Sequence, residues 1–169
     1  MNEVELKFLE IDVDAIVAKL DKLGAKKVFD GDMHACYLDA ADGAIKRENK
    51  VLRIRTQGEK VVLAYKEKNK SEFASSSTET EIDVSDYGTT KSIFLKLGYV
   101  VTKEYSKHRA SYKLPGFSFE FDTINGIPTF LELEATSEDD IKKACLMLDL
   151  DVSKGVDWNC FKVQDHYKK

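Results

Sequence analysis

Three short segments carry paired acids one residue apart: Glu3-Val4-Glu5, Glu79-Thr80-Glu81 and Glu132-Leu133-Glu134. Successive side chains of a β-strand point to opposite faces, so each pair shares one face, with its carboxylates roughly 7 Å apart along the strand. The first segment continues the alternation to Lys7, with Val4, Leu6 and Phe8 on the opposite face. A single such strand is explained by a wet, charged face. Three copies, each running directly into a helix start, constrain the chain much more.

Asp12, Ser85 and Ser137 stand where helix caps are expected. The apolar spacing behind them predicts helices over 12–24, 85–98 and 137–149, with a further short helix after Trp158, docked by Trp158 and Phe161. The first two helices end alike, as Lys22-Leu23-Gly24 and Lys96-Leu97-Gly98, which hints at an old duplication of a strand–helix–strand unit. Strands are predicted at 2–11, 27–39, 50–57, 60–67, 75–84, 99–113, 116–124 and 128–135, with hairpin turns at Gly58 and Pro115-Gly116. The polar, serine-rich stretch from Lys68 to Ser77 reads as a mobile loop.

The chain has only four arginines among its 26 basic residues. Arg53 and Arg55 alternate with Leu52 and Ile54, so they share a strand face as the acids do. The planar guanidinium fork holds phosphate or carboxylate oxygens by two parallel hydrogen bonds, which the point charge of lysine cannot do. Cross-strand ion pairs with the paired glutamates are the alternative use of such a face.

With 169 residues the chain is read as a single domain, 1–169, with a real core. A net charge of −4 argues against a duplex nucleic-acid binder, which needs a basic surface. No apolar run reaches membrane-spanning length, and the first strand leaves no room for a signal peptide, so no membrane partner is expected. Cys36, Cys145 and Cys160 lack metal-ligand spacing and read as reduced thiols in the cytoplasm. There is no Gly-rich phosphate loop, so phosphate chemistry would rest on side chains.

Many long antiparallel strands suggest a closed barrel, which removes exposed edges. If the charged faces point outward, Val4, Leu6, Leu52, Ile54, Leu131 and Leu133 fill an ordinary core. If they point inward, amphipathic helices cover the apolar faces and the lumen is polar. The helices need an apolar sheet surface to bury against, which favours charges inward. Two carboxylates 5 Å apart repel by about 3 kcal/mol at an effective dielectric near 20, so such a lumen needs divalent cations and interleaved Arg and Lys.

The ordered set of these motifs resembles the CYTH superfamily of triphosphate tunnel metalloenzymes, which includes class IV adenylyl cyclases, thiamine triphosphatases and inorganic triphosphatases. The opening Glu-x-Glu-x-Lys is similar to Glu3, Glu5 and Lys7; Arg-x-Arg to Arg53 and Arg55; the next strand's lysine to Lys66; and the central Glu-x-Glu to Glu79 and Glu81. Lys-x-Arg-x-x-Tyr matches Lys107, Arg109 and Tyr112, the late aspartate is Asp122, and the final Glu-x-Glu is Glu132 and Glu134. A C-terminal basic residue has two candidates, Lys154 and Lys162, and the chain starts too late for the His-Phe segment of some cyclases.

The resemblance implies an α+β fold: an eight-stranded antiparallel β-barrel tunnel with amphipathic helices packed outside, binding a small-molecule triphosphate, as a monomer or homodimer. By this resemblance Lys7, Arg53, Arg55, Lys66, Lys107 and Arg109 bind phosphate oxygens. Glu3, Glu5, Asp122, Glu132 and Glu134 hold Mg²⁺ or Mn²⁺, hard cations that prefer oxygen. Lys7, Glu79 and Glu81 serve catalysis, the two glutamates by binding a second metal, positioning water or holding the arginines. The function expected first is metal-dependent hydrolysis of inorganic, thiamine or nucleoside triphosphate. The alternatives are an adenylyl cyclase and a non-catalytic polyphosphate- or nucleotide-binding module. His34, His108, Cys36, Asp39 and Asp42 read as structural.

Overall fold

Alternation and capping decide where each element of the computed structural model begins; it describes residues 2–168. The strands are β1 (Asn2–Phe8), β2 (Lys26–Ala40), β3 (Lys50–Gln57), β4 (Lys60–Asn69), β5 (Ser75–Val84), β6 (Tyr99–Leu114), β7 (Phe117–Thr123) and β8 (Phe130–Ala135). They close into a barrel in the order β1-β5-β4-β3-β2-β6-β7-β8. The helices are α1 (Val13–Lys22), α2 (Ala44–Arg47), α3 (Tyr87–Lys96), α4 (Glu138–Leu148) and α5 (Cys160–Tyr167), with a 3₁₀ turn at Val152–Lys154. The α+β barrel expected from the sequence is therefore the fold observed.

Asp12 caps α1 by accepting from the Ala15 N–H at 3.0 Å, and Ser137 caps α4 by accepting from the Asp140 N–H at 3.2 Å. The cap of α3 is Asp86 rather than Ser85: its carboxylate accepts from the Thr89 N–H at 2.6 Å. A charged acceptor also answers the positive end of the helix, which a serine hydroxyl does not. Gly24 and Gly98 both sit just past a helix end with φ of 75° and 90°, so the matched sequences do end their helices alike. The helix α2 was not expected; buried Asp39 caps it, accepting from the N–H groups of Ile45 and Lys46 at 2.8 and 3.1 Å.

The chain divides into two compact units. One comprises Gly31–Asn69 and Ser77–Lys107. Its apolar cluster joins Cys36, Leu38, Leu52 and Ile54 to Tyr87 and Phe94 of α3. Phe94 and Tyr87 turn to the sheet, while Ile93, Leu95 and Leu97 are exposed, so α3 is less amphipathic than its spacing suggested.

The other unit comprises Asn2–Asp30, Lys70–Ser76 and 108–168. Its core packs Val4, Leu6, Phe8, Leu131 and Leu133 against Ile16 and Leu20 of α1 and Ile141, Ala144, Cys145 and Leu148 of α4. Tyr112 belongs to this core, edge-on to Phe121. The segment expected to be a mobile loop is tied down at Ser71–Ala74. Glu138, at the start of α4, accepts from the Ser71 hydroxyl and from the N–H groups of Glu72 and Phe73, and Ala74 is buried. The last helix buries Cys160 and Val163, and Trp158 and Phe161 are half-buried. Just before it, Gly155 lies so close to Leu6 that an added Cβ would sit 2.4 Å from it, and Val156 bridges Lys7 by two backbone hydrogen bonds.

Candidate functional site

In each unit the helices cover the apolar strand face, which leaves the charged residues on the opposite face. In the second unit the register aligns them in rows. Lys7 of β1 faces Glu132 of β8, Glu132 faces Glu120 of β7, and Glu120 faces Ser111 of β6. The next row holds Glu5, Glu134 and Ser118, and a third pairs Asp122 with Arg109. Like charges set directly opposite each other destabilise a sheet unless something neutralises them.

Two buried cations do part of this. Lys7, 2% exposed, lies 2.7 Å from a Glu132 oxygen and 3.1 Å from a Glu5 oxygen. Burial works against its charge, but Glu132 and Glu5 outweigh that and hold the ammonium well above the usual lysine range. Arg109 donates from Nε and Nη2 to the two oxygens of fully buried Asp122, at 2.6 and 2.7 Å, and from Nη2 to Glu132 at 2.8 Å. Both oxygens of Asp122 are thus engaged by the guanidinium fork. Glu120, which the motifs did not single out, accepts from the Ser111 hydroxyl and lies 3.8 Å from the Arg109 Nε. Its signal was present as the Glu-x-Asp alternation of Glu120 and Asp122, a fourth acidic pair.

The remaining acids converge in a group that could hold a cation. One oxygen from each of Glu3, Glu5 and Glu134 lies within 4.8 Å of the others. Burial and the neighbouring Glu132 and Glu3 carboxylates push Glu134 well above the usual carboxylate range. Three converging carboxylates, one of them reluctant to ionise, suit a hard divalent cation with oxygen ligands. A second, buried group brings Asp122 and Glu132 together with the thiol of Cys160.

The first unit holds the arginine pair. Arg53 Nη2 lies 3.4 Å from Glu79 and Arg55 Nη2 2.8 Å from Glu81, while Lys66 Nζ lies 3.0 Å from the other Glu79 oxygen. Burial opposes the charge of Arg53, and the Tyr37 phenol and Glu79 outweigh it, raising its affinity for the proton. The Arg53 Nε is buried with no hydrogen-bond partner among the described residues. A buried unsatisfied donor costs about 1–3 kcal/mol, which an incoming anionic oxygen would recover. Lys107 is half-buried on β6. Tyr37 faces Arg53 across β2 and β3, and its ring stacks on that of Tyr105. Neither tyrosine was singled out by the motifs, since placing Tyr37 opposite Arg53 requires the β2–β3 register.

The residues read as structural stay outside these clusters. His108 pairs with Asp30 at 2.8 Å. His34 contacts the Ser106 hydroxyl at 3.0 Å, and Cys36 is a buried free thiol. Lys154 and Lys162 are exposed, the latter over the Trp158 ring.

The CYTH domain family model matches residues 1–154. The chain belongs to the CYTH domain family. A Methanocaldococcus jannaschii protein provisionally named an adenylate cyclase is 29% identical over 139 residues, 82% of this chain and 79% of that protein. The PH1012 protein of Pyrococcus horikoshii has a similar solved structure, with a TM-score of 0.78 at 24% identity, covering 95% of this chain and 98% of that one. A Hippeastrum protein provisionally named an adenylyl cyclase, whose dominant activity is that of a triphosphatase, superposes with a TM-score of 0.65 at 18% identity, covering 99% and 96%. The last two show the CYTH barrel in other chains. Among the described residues, no helix is long and apolar enough to cross a membrane.

Proposed function

We propose that this CYTH protein hydrolyses the terminal phosphoanhydride of a small triphosphate, with a divalent cation, Mg²⁺ or Mn²⁺, as cofactor. The observation that carries the reading is the Arg53, Arg55 and Lys66 set, in which the buried Arg53 Nε has no hydrogen-bond partner among the described residues. Glu3, Glu5 and Glu134 would hold the cation that a triphosphate carries with it. The ion supplies charge neutralisation on phosphate oxygens and a more acidic water.

In this reading Arg53, Arg55, Lys66 and Lys107 bind phosphate oxygens, and Glu79 and Glu81 hold the arginine forks in place. Asp122 orients Arg109 through both oxygens, each of which keeps a further lone pair, so with Glu132 it stays among the residues that could hold a cation. Glu132 shares that work between Arg109 and Lys7. Phosphoryl transfer asks chiefly for such positioning and charge stabilisation. The triphosphatase activity of the Hippeastrum relative supports hydrolysis. The name of the M. jannaschii relative favours a second reading, cyclisation of ATP to cyclic AMP and pyrophosphate. The three buried free thiols suit a reducing, cytoplasmic setting.

The test is chromatography of products from inorganic triphosphate and ATP with Mg²⁺ or Mn²⁺, with and without chelator. Pyrophosphate plus phosphate from the first, and ADP from the second, both abolished by chelator, are expected. Cyclic AMP as the main product selects the cyclase reading, and undiminished turnover in chelator overturns the metal requirement.

A further inference from the structure

Two tyrosines in the first unit stand apart from its apolar cluster. Tyr37 is paired in register with Arg53, so its ring rises from the charged face that carries Arg53 and Arg55. Its partner Tyr105 stacks on it with centroids 6.1 Å apart and planes 25° from parallel. The aromatic residues of the opposite face pack differently: Phe94 and Tyr99 meet edge-on at 82° within the apolar cluster under α3. Stacked and edge-to-face pairs both pack well, but a stacked pair that is partly exposed keeps an outer flat face on which another ring can lie. Both tyrosines are partly exposed, and both phenols act electrostatically on the Arg53 guanidinium. A flat apolar surface beside a phosphate-binding fork matches a ligand with a planar ring at one end and phosphates at the other.

We propose that Tyr37 and Tyr105 form a stacking platform for a planar aromatic ring, so that the preferred substrate is a ring-bearing triphosphate ester and not inorganic triphosphate. The inference rests on the triphosphate reading above and narrows its substrate class. A nucleobase and the rings of thiamine share this chemistry. Base–aromatic stacking is strong enough to change affinity roughly tenfold or more per ring removed.

The experiment compares kcat/KM for ATP, thiamine triphosphate and inorganic triphosphate in the wild type and in Tyr37→Leu, Tyr105→Leu, Tyr37→Phe and Tyr105→Phe. The selectivity ratio, ring ester over inorganic triphosphate, is expected to fall roughly tenfold or more in the leucine variants, mostly through KM. The phenylalanine variants should keep it, because they keep the ring. The ester whose ratio falls identifies the ring. An unchanged ratio in the leucine variants overturns the platform, as does an equal fall in the phenylalanine variants, which would assign the role to the hydroxyls. Calorimetric binding of adenosine 5′-(β,γ-imido)triphosphate and of inorganic triphosphate, with Mg²⁺, separates the two levels. A wild type that turns over none of the substrates refutes the hydrolase reading, yet tighter binding of the imido-nucleotide, lost in the leucine variants, still upholds the platform. Equal binding of the two ligands overturns it.

Discussion

The same pairing of carboxylate with guanidinium appears in both units and does different work in each. Around Arg109 the ions are sealed from water: Asp122 is fully buried, the three hydrogen bonds are short, and the acids take hold of both Nε and Nη2. Around Arg53 and Arg55 the side chains keep 14% and 19% of their surface, the Glu79 contact is long at 3.4 Å, and the Arg53 Nε is unsatisfied. An arginine whose Nε and Nη2 are held by short bonds has little left to offer a ligand, whereas the Arg53 Nε keeps a donor that the proposed anion would use. The acids differ as well. Those near Arg109 outnumber the cations they surround, and those near Arg53 do not.

The sharpest way to break this contrast is at Asp122. Asp122→Ala leaves Arg109 buried with fewer counter-charges, and removing one partner of a buried pair costs about 3–5 kcal/mol. Denaturant titration should show a loss of that order, and a change under about 1 kcal/mol would place Arg109 in the same class as Arg55.

Arg53→Lys and Arg55→Lys should do the reverse. Loss of the fork removes hydrogen bonds to a charged ligand worth about 1.5–3 kcal/mol, so kcat/KM should fall roughly ten- to hundredfold with little change in stability. Arg47→Lys, on exposed α2, is the control and should be near neutral; equal losses at all three positions would mean that only net charge matters.

A smaller effect is expected at Glu134, whose folded-state proton affinity is raised by burial and by Glu132 and Glu3. A carboxyl with a raised folded pKa stabilises the fold at low pH, and that contribution is lost as pH rises from about 4.5 through the folded value. The metal-free protein should therefore lose Tm across that rise, and Mg²⁺ or Mn²⁺ should restore it. Glu134→Gln should flatten the metal-free profile and reduce the response to metal. A profile identical to that of the wild type would remove Glu134 from the proposed cation site.

The mildest test lies at the edge of the first unit. Glu104 is held at about 2, first by Lys91 and then by the Tyr87 hydroxyl. A lowered carboxylate stabilises the fold above the unfolded value of 4.5, and the gain is lost as pH falls toward about 2. Glu104→Gln should make the acid limb of the stability curve shallower in that window only. Because the side chain is a third exposed, the change should be small.

Strand parity made much of the charged set legible. Glu5, Lys7, Arg53, Arg55, Glu132 and Glu134 could be assigned to one face from their spacing alone, because period two is a local property. What parity cannot supply is who stands opposite whom. Tyr37 meets Arg53, and Glu120 meets Glu132, only through register between strands, which depends on the whole sheet. Asp122 shows the same limit: its carboxylate suits a metal in sequence, and only the ladder reveals Arg109 as the neighbour that engages both its oxygens. The helix α2 and the pinned segment at Ser71–Ala74 were missed because distant or buried carboxylates, Asp39 and Glu138, hold them.

Barrel closure by β1 and β8 has a temporal side. Asn2 donates to the Thr136 carbonyl across 134 residues of chain, and Lys7 meets Glu132 in the same ladder. At the roughly 5–20 residues per second of ribosomal synthesis, β1 is finished on the order of ten seconds before β8 exists. Throughout that interval α1 and β5 can already reach β1, but the edge that β8 will pair stays an unmatched ladder, a feature that invites wrong partners. The order in which the ribosome delivers these strands leaves the closing edge of β1 to wait for the last strand made.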